Sequence, residues 1–242
     1  MANLIIEIGN TAVKAACSEG MTLGKTYRYQ GEKVMDFIID ILEREKPEVA
    51  VIASVYEISQ YDEDSFKSRC PDVLILDSTH GDILKANALP PFLTYDRAAS
   101  IIAARYLFKG HGCTIVDLGT TLTVDTTDTE GNYTGGIISL GCRTRLKALN
   151  RYSRRLPLLD SPEMKNFSDI SLEGSMVKGV VSGMVFEIEG YVSQNPDNMV
   201  VFTGGDAIYF AKRMKNPIFV VCNLVLMGLA LIADRYVRKI EK

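Results

Sequence analysis

Three acidic residues sit where a phosphate or an alcohol could be handled. Glu7, in "IIEIGNTAVK" (5–14), and Asp117, in "TIVDLGTTLTV" (114–124), each close an apolar alternating run and are followed by glycine and then threonine. A glycine lets the backbone approach a ligand closely, and turn N–H groups can point at phosphate oxygens. Thr11, Thr120 and Thr121 add hydroxyl donors. A carboxylate at a strand end can hold hydrated Mg²⁺ against those phosphates. One such stretch reads as an ordinary hairpin. Two, one in each half of the chain, point to a nucleotide clamped from both sides. A third glycine turn, "FTGGDA" (202–207), offers the bare backbone of Gly204 and Gly205 to a flat adenine or a ribose. The third acid, Asp96, stands beside Arg97 where a helix begins. It reads either as a helix cap with a solvated arginine or as a general base for a substrate hydroxyl with an anion holder beside it.

The elements that must position these groups follow from periodicity. Period-2 alternation predicts a strand through Leu4–Ile8, a two-residue turn at Gly9-Asn10 and a returning strand, then a third strand in "GKTYRY" (24–29). Val34, Phe37, Ile38, Ile41 and Leu42 share one helical face. Buried strands follow at 48–55 and 72–77, and a helix from about Asp96 carries Ile101, Ala104 and Leu107. The second half repeats the opening: strands in "CTIVDLGTTLTVDTT" and "YTGGIISLG", a basic helix (143–151), a helix over about 174–193, a strand at 199–203, a last strand (217–222) and a helix (223–239). The expectation is an α/β chain of two like domains, 1–110 and 111–242.

Several classes are excluded. A P-loop GxxxxGK[ST] and a strand-led GxGxxG are both missing from the sequence. A net charge of −3 argues against an electrostatic nucleic-acid binder. Five cysteines without a CxxC pair, and only two histidines, argue against structural zinc and fit reduced thiols in a cytoplasmic protein. "PIFVVCNLVLMGLALIA" (217–233) opens with proline and contains Asn223 and Gly228, so it reads as strand then buried helix, not as a membrane span.

These motifs, in this order, resemble type III pantothenate kinase, of the acetate kinase, sugar kinase and actin-like ATPase superfamily. The family's D-x-G-N-T-x-x-K is matched by Glu7, Ile8, Gly9, Asn10, Thr11, Ala12, Val13 and Lys14, with Glu for Asp. Its G-x-D-R is matched by Thr94, Tyr95, Asp96 and Arg97, with Thr for Gly, and its D-x-G-T by Asp117 to Thr120. G-G-x-I-x-P-G falls on Gly135 to Gly141 with Leu140 for Pro, and T-G-G-D/A on Thr203 to Asp206. "ASV" (53–55), "RRLP" (154–157) and "NLVLMGL" (223–229) extend the likeness along the chain.

The resemblance implies two RNase H-like domains, each a mixed sheet opening with a β-hairpin phosphate loop and flanked by helices. It implies ATP-dependent phosphorylation of pantothenate to 4'-phosphopantothenate, the first step toward coenzyme A. Asp96 would be the base. Glu7 to Lys14 and Thr120 would meet ATP, and Glu7 is the candidate Mg²⁺ ligand. Asp117 would lie at a K⁺ or NH₄⁺ site, and Ser175 near pantothenate with Thr94, Tyr95 and Arg97. A homodimer would complete the pantothenate site, with neither nucleic acid nor membrane as partner. Glu7 is one methylene longer than Asp, so its carboxylate reaches about 1.5 Å further, and Thr94 in place of glycine either narrows the approach to Asp96 or merely changes the turn. These departures keep two alternatives: a weak or inactive member acting as a binding or regulatory protein, and another small-molecule kinase of the superfamily.

Overall fold

The computed structural model describes residues 3–80, 82–160 and 170–240. Alternating apolar residues build two five-stranded mixed sheets of the same plan. In the first, β1 (Asn3–Ile8), β2 (Val13–Glu19) and β3 (Thr22–Tyr29) form an antiparallel meander; β4 (Val49–Ser54) and β5 (Asp72–Leu76) join in parallel, giving the order β3-β2-β1-β4-β5. In the second, β6 (Cys113–Leu118), β7 (Thr121–Thr127) and β8 (Tyr133–Leu140) make the meander, and β9 (Met199–Thr203) and β10 (Phe219–Val220) add in parallel, giving β8-β7-β6-β9-β10. Strand for strand the two sheets correspond. Parallel pairs need crossovers, and helices supply them. They are α1 (Val34–Glu45) and α2 (Gln60–Lys67) in the first half, with the short α3 (Asp82–Ala86) and α4 (Tyr95–Leu107) after β5; in the second half α5 (Cys142–Tyr152) and α6 (Leu172–Ser193) lead to β9, α7 (Ala207–Ala211) leads to β10, and α8 (Leu224–Ile240) follows.

The period of each element decides what it buries. Leu4, Ile6 and Ile8 alternate onto the face that packs with Ile38, Ile41 and Leu42 of α1. Val116, Leu118, Leu122 and Val124 do the same against Leu146 of α5 and Val177, Val181 and Met184 of α6. β4 is buried along its whole length, as a central strand covered on both faces must be.

Two compact units result, dividing between Leu107 and Phe108. The expected second domain of 111–242 differs from this division, because the chain from Asn223 onward packs with the first unit. The cause lies at the helix crossing. Gly228 brings α8 so close to α4 that a Cβ there would overlap the Ala99 carbonyl, and Leu229, Ala230 and Ala233 are fully buried. The expected strand over 217–222 shortens to two residues, with Phe219 and Val220 exposed at a sheet edge. The two-residue turn expected at Gly9-Asn10 is also corrected. Ile8 pairs with Val13, and the Gly9 N–H donates to the Ala12 carbonyl at 3.0 Å, closing a four-residue loop. Among the described residues no helix is long and apolar enough to cross a membrane.

Candidate active site

The acidic residues fall in two places, one on each unit. In the first unit, sheet register sets Glu7 opposite Lys14 across the antiparallel pair and beside Ala53 in the parallel pair. The Lys14 ammonium donates to Glu7 Oε2 at 3.1 Å. Burial pushes the Glu7 carboxyl above its usual range; Lys14 pulls it back by charge and hydrogen bond, and the nearby Asp96 carboxylate adds to the rise. Glu7 and Asp96, far apart in sequence, therefore share one electrostatic neighbourhood. The loop between β1 and β2 leaves Asn10 and Thr11 exposed. "ASV" lies alongside, with the Val55 N–H donating to the Ile8 carbonyl at 3.1 Å.

Asp96 is the second residue of α4 and not its cap. Thr94 precedes the helix, and its carbonyl accepts from the Ala98 N–H at 3.0 Å. Asp96 Oδ1 accepts the Arg97 N–H at 2.9 Å. Arg97 is only 6% exposed, which rules out the solvated partner that the sequence left open. Thr94 is exposed, whereas Tyr95 is buried and donates its hydroxyl to the His80 carbonyl at 2.6 Å.

In the second unit, Asp117 ends β6, opposite Thr123 on β7 and Thr203 on β9. Here the connection is one residue shorter than in the first hairpin: Leu118 pairs with Leu122, and the Gly119 N–H donates to the Thr121 carbonyl at 3.0 Å. The exposed Thr120 offers its carbonyl to the Gly141 N–H at 3.0 Å and to the Thr144 hydroxyl at 2.6 Å, which seats the hairpin on the start of α5. Gly204, at φ +90°, wraps around the strand end; a Cβ there would overlap Asp117 Oδ1 and lie 2.6 Å from the Leu118 carbonyl oxygen. So the bareness of Gly204 serves Asp117, while Gly205 faces open space. Asp206 follows, its carboxyl pushed up by burial and drawn back by Arg143. Ser175, exposed on the first turn of α6, donates to the Ser171 carbonyl at 2.8 Å.

Asp117, beside Gly204 at the sheet end, is a carboxylate that could hold a K⁺ or NH₄⁺ ion. Glu7 fits Mg²⁺ less well, because Lys14 already takes one of its oxygens. Among the described residues no group of three or more His, Cys, Asp or Glu side chains could hold a metal ion.

Sequence reasoning missed one polar cluster next to this machinery. Asp77, fully buried at the end of β5, accepts from the Ile58 N–H (2.9 Å), the Thr79 N–H (2.9 Å) and hydroxyl (2.8 Å), and the His80 N–H (3.1 Å), and pairs with His80 Nδ1 (2.7 Å). The signal was present in "DSTH" (77–80), where an Asp two residues before a Thr favours a turn closed by its own carboxylate.

The profile of the type III pantothenate kinase family matches residues 3–194. The chain is 34% identical over 236 residues to the type III pantothenate kinase of Flavobacterium johnsoniae, covering 94% of this chain and 95% of the relative. In fold it is similar to the ROK hexokinase of Thermus thermophilus (TM-score 0.57, 13% identity, 98% of this chain and 100% of the other). It is also similar to the activator of the 2-hydroxyisocaproyl-CoA dehydratase of Clostridium difficile with bound ADPNP (TM-score 0.60, 14% identity, 100% and 97%). The doubled sheet plan is thus an actin-like ATPase architecture.

Proposed function

The chain belongs to the type III pantothenate kinase family and phosphorylates pantothenate on the way to coenzyme A, and we propose that it does so with Asp96 as the residue that orients and deprotonates the attacking alcohol. The observation that carries this assignment is the placement of Asp96 at the start of α4, within electrostatic reach of the Glu7–Lys14 pair on the phosphate-loop hairpin. A carboxylate near the loop that meets the phosphates can hold a hydroxyl in line with the γ-phosphorus.

Phosphoryl transfer passes through a loose transition state, so positioning and charge neutralisation outweigh early deprotonation. The primary hydroxyl oxygen of pantothenate bonds to the γ-phosphorus, the bond to the ADP oxygen breaks, and the hydroxyl proton passes to Asp96. Lys14 neutralises developing phosphate charge, and the hairpin N–H groups of Asn10 to Ala12 hold the phosphates, with Gly9 closing the loop through its N–H to the Ala12 carbonyl. Ile8, Val13, Thr120, Gly204 and Gly205 belong to the ATP-binding set. Thr94, Tyr95, Arg97 and Ser175 make up the pantothenate set. MgATP is the substrate form, and the free oxygen of Glu7 would be the carboxylate left to its metal, Lys14 holding the other. A K⁺ or NH₄⁺ ion at Asp117 would supply a fixed positive charge to the reaction.

The working form is a homodimer. α6 supports this: Phe186 is 68% exposed, and the would-be Cβ positions of Gly179 and Gly183 have nothing within 4 Å. The five free cysteines fit a reducing cytoplasm. The test is ADP release from ATP, Mg²⁺ and K⁺ with and without pantothenate. Release that requires pantothenate is expected; release indifferent to it contradicts the substrate, and nucleotide binding without turnover contradicts catalysis.

A further inference from the structure

The buried Asp77 cluster has no part in the chemistry above, yet it is bonded to the residue next to Asp96. Asp77 gathers one N–H from Ile58, two donors from Thr79, and the backbone and ring of His80. Burial alone would raise its carboxyl; the Ile58 N–H, the His80 ring and Thr79 outweigh burial and hold it down at about 2. It is therefore a fixed anion, and it fixes His80. The far side of the His80 ring faces Glu63 Oε2 at 3.7 Å, and Glu63 is itself bonded to Lys67 of the same helix. His80 is thus held through its N–H and its ring by Asp77, just past β5, with the ring lying against Glu63 of α2, and its carbonyl oxygen has a set place. Tyr95 donates to that oxygen at 2.6 Å.

Tyr95 is the first residue of α4, and Asp96 and Arg97 follow it directly. The start of a helix is where the chain most readily frays, because its first N–H groups lack intrahelical partners. A hydroxyl anchored to a rigid carbonyl would stop the first turn from rotating, and with it the Asp96 carboxylate. We propose that the Tyr95–His80 hydrogen bond, stiffened by Asp77, is a positioning latch that sets the orientation of Asp96 for phosphoryl transfer. Tyr95, assigned above to the pantothenate set, then acts chiefly through its neighbour: its ring is 6% exposed and its hydroxyl points at protein.

The inference rests on Asp96 as the base, and the experiment separates the two. Steady-state kinetics are measured for Tyr95→Phe, His80→Ala, their double variant and Asp96→Asn, each checked as folded at the assay temperature by circular dichroism. Tyr95→Phe keeps the packed ring and removes only the hydroxyl. It is expected to lower kcat about tenfold while the KM for ATP stays within about twofold, since misplacement of a reacting group falls on turnover and not on nucleotide binding. His80→Ala is expected to lower kcat less, and the double variant no further than Tyr95→Phe alone, because both act through one bond. A Tyr95→Phe kcat within about twofold of wild type, with Asp96→Asn inactive, overturns the latch and leaves the base standing. Multiplying losses in the double variant also overturn it. Full turnover in Asp96→Asn overturns the base assignment and the latch's role with it.

Discussion

Glu7 and Asp117 occupy corresponding strand ends, but their cross-strand partners differ: Lys14 faces Glu7 and Thr123 faces Asp117. The difference follows from hairpin length, since one extra residue in the first loop moves a lysine into register. The Lys14 contact at 3.1 Å indicates surroundings adapted to the longer acid. Glu7→Asp is therefore expected to lower turnover about tenfold, as the shortened side chain loses its cation; a gain in kcat would contradict this. Asp77 gives a second prediction at this scale. Its folded pKa, about 2, lies below the usual aspartate value. A depressed acid adds stability above the unfolded pKa and loses it as pH falls through the folded one. That contribution, roughly 2 kcal/mol at neutral pH, should fade between about pH 4 and pH 2. Urea denaturation across this range would show a shallower acid loss in Asp77→Asn than in wild type; identical slopes would contradict it. The sequence marked Glu7 and Asp117 by their place after apolar runs and before glycines, and Asp96 by its place beside Arg97 at a helix start. It could not mark the Tyr95–His80 bond, because a backbone carbonyl as partner leaves no side-chain signature.

At the scale of elements, the doubled hairpin was legible because strand alternation and glycine turns are local signals. The return of α8 to the first unit was not. Its apolar residues announce a buried helix without saying which core receives them, and the deciding feature is steric: Gly228 against the Ala99 carbonyl. Gly228→Ala should force α8 away from α4 and cost about 1–3 kcal/mol, the usual range for overpacking. Thermal unfolding measures the loss, and kcat should fall with it because α4 carries Asp96. An unchanged Tm would contradict the crossing. The four-residue loop after β1 was misread for a related reason: the Gly9–Ala12 bond that closes it is set by the Ile8–Val13 pairing, which turn propensity alone does not fix.

For the whole molecule, the two sheets of one plan explain why the chain presents two glycine hairpins. The proposed homodimer predicts a light-scattering mass near twice 26.7 kDa, and Phe186→Asp on α6 should shift it to the monomer. A wild-type monomer at micromolar concentration would contradict the dimer. The proposed cation site at Asp117 predicts turnover that requires K⁺ or NH₄⁺; full activity in sodium alone would contradict that assignment. Sequence order and spacing carried the family and the fold class, since both rest on motifs spread along the chain. The compact-unit boundary depended on tertiary packing that the motifs do not encode.

The most direct test of the account is a single-turnover measurement of ADP formation by Asp96→Asn with saturating ATP and pantothenate. The account predicts ATP affinity close to wild type and a transfer rate lowered by about a hundredfold or more, the range associated with a positioned general base. A transfer rate equal to wild type would contradict it.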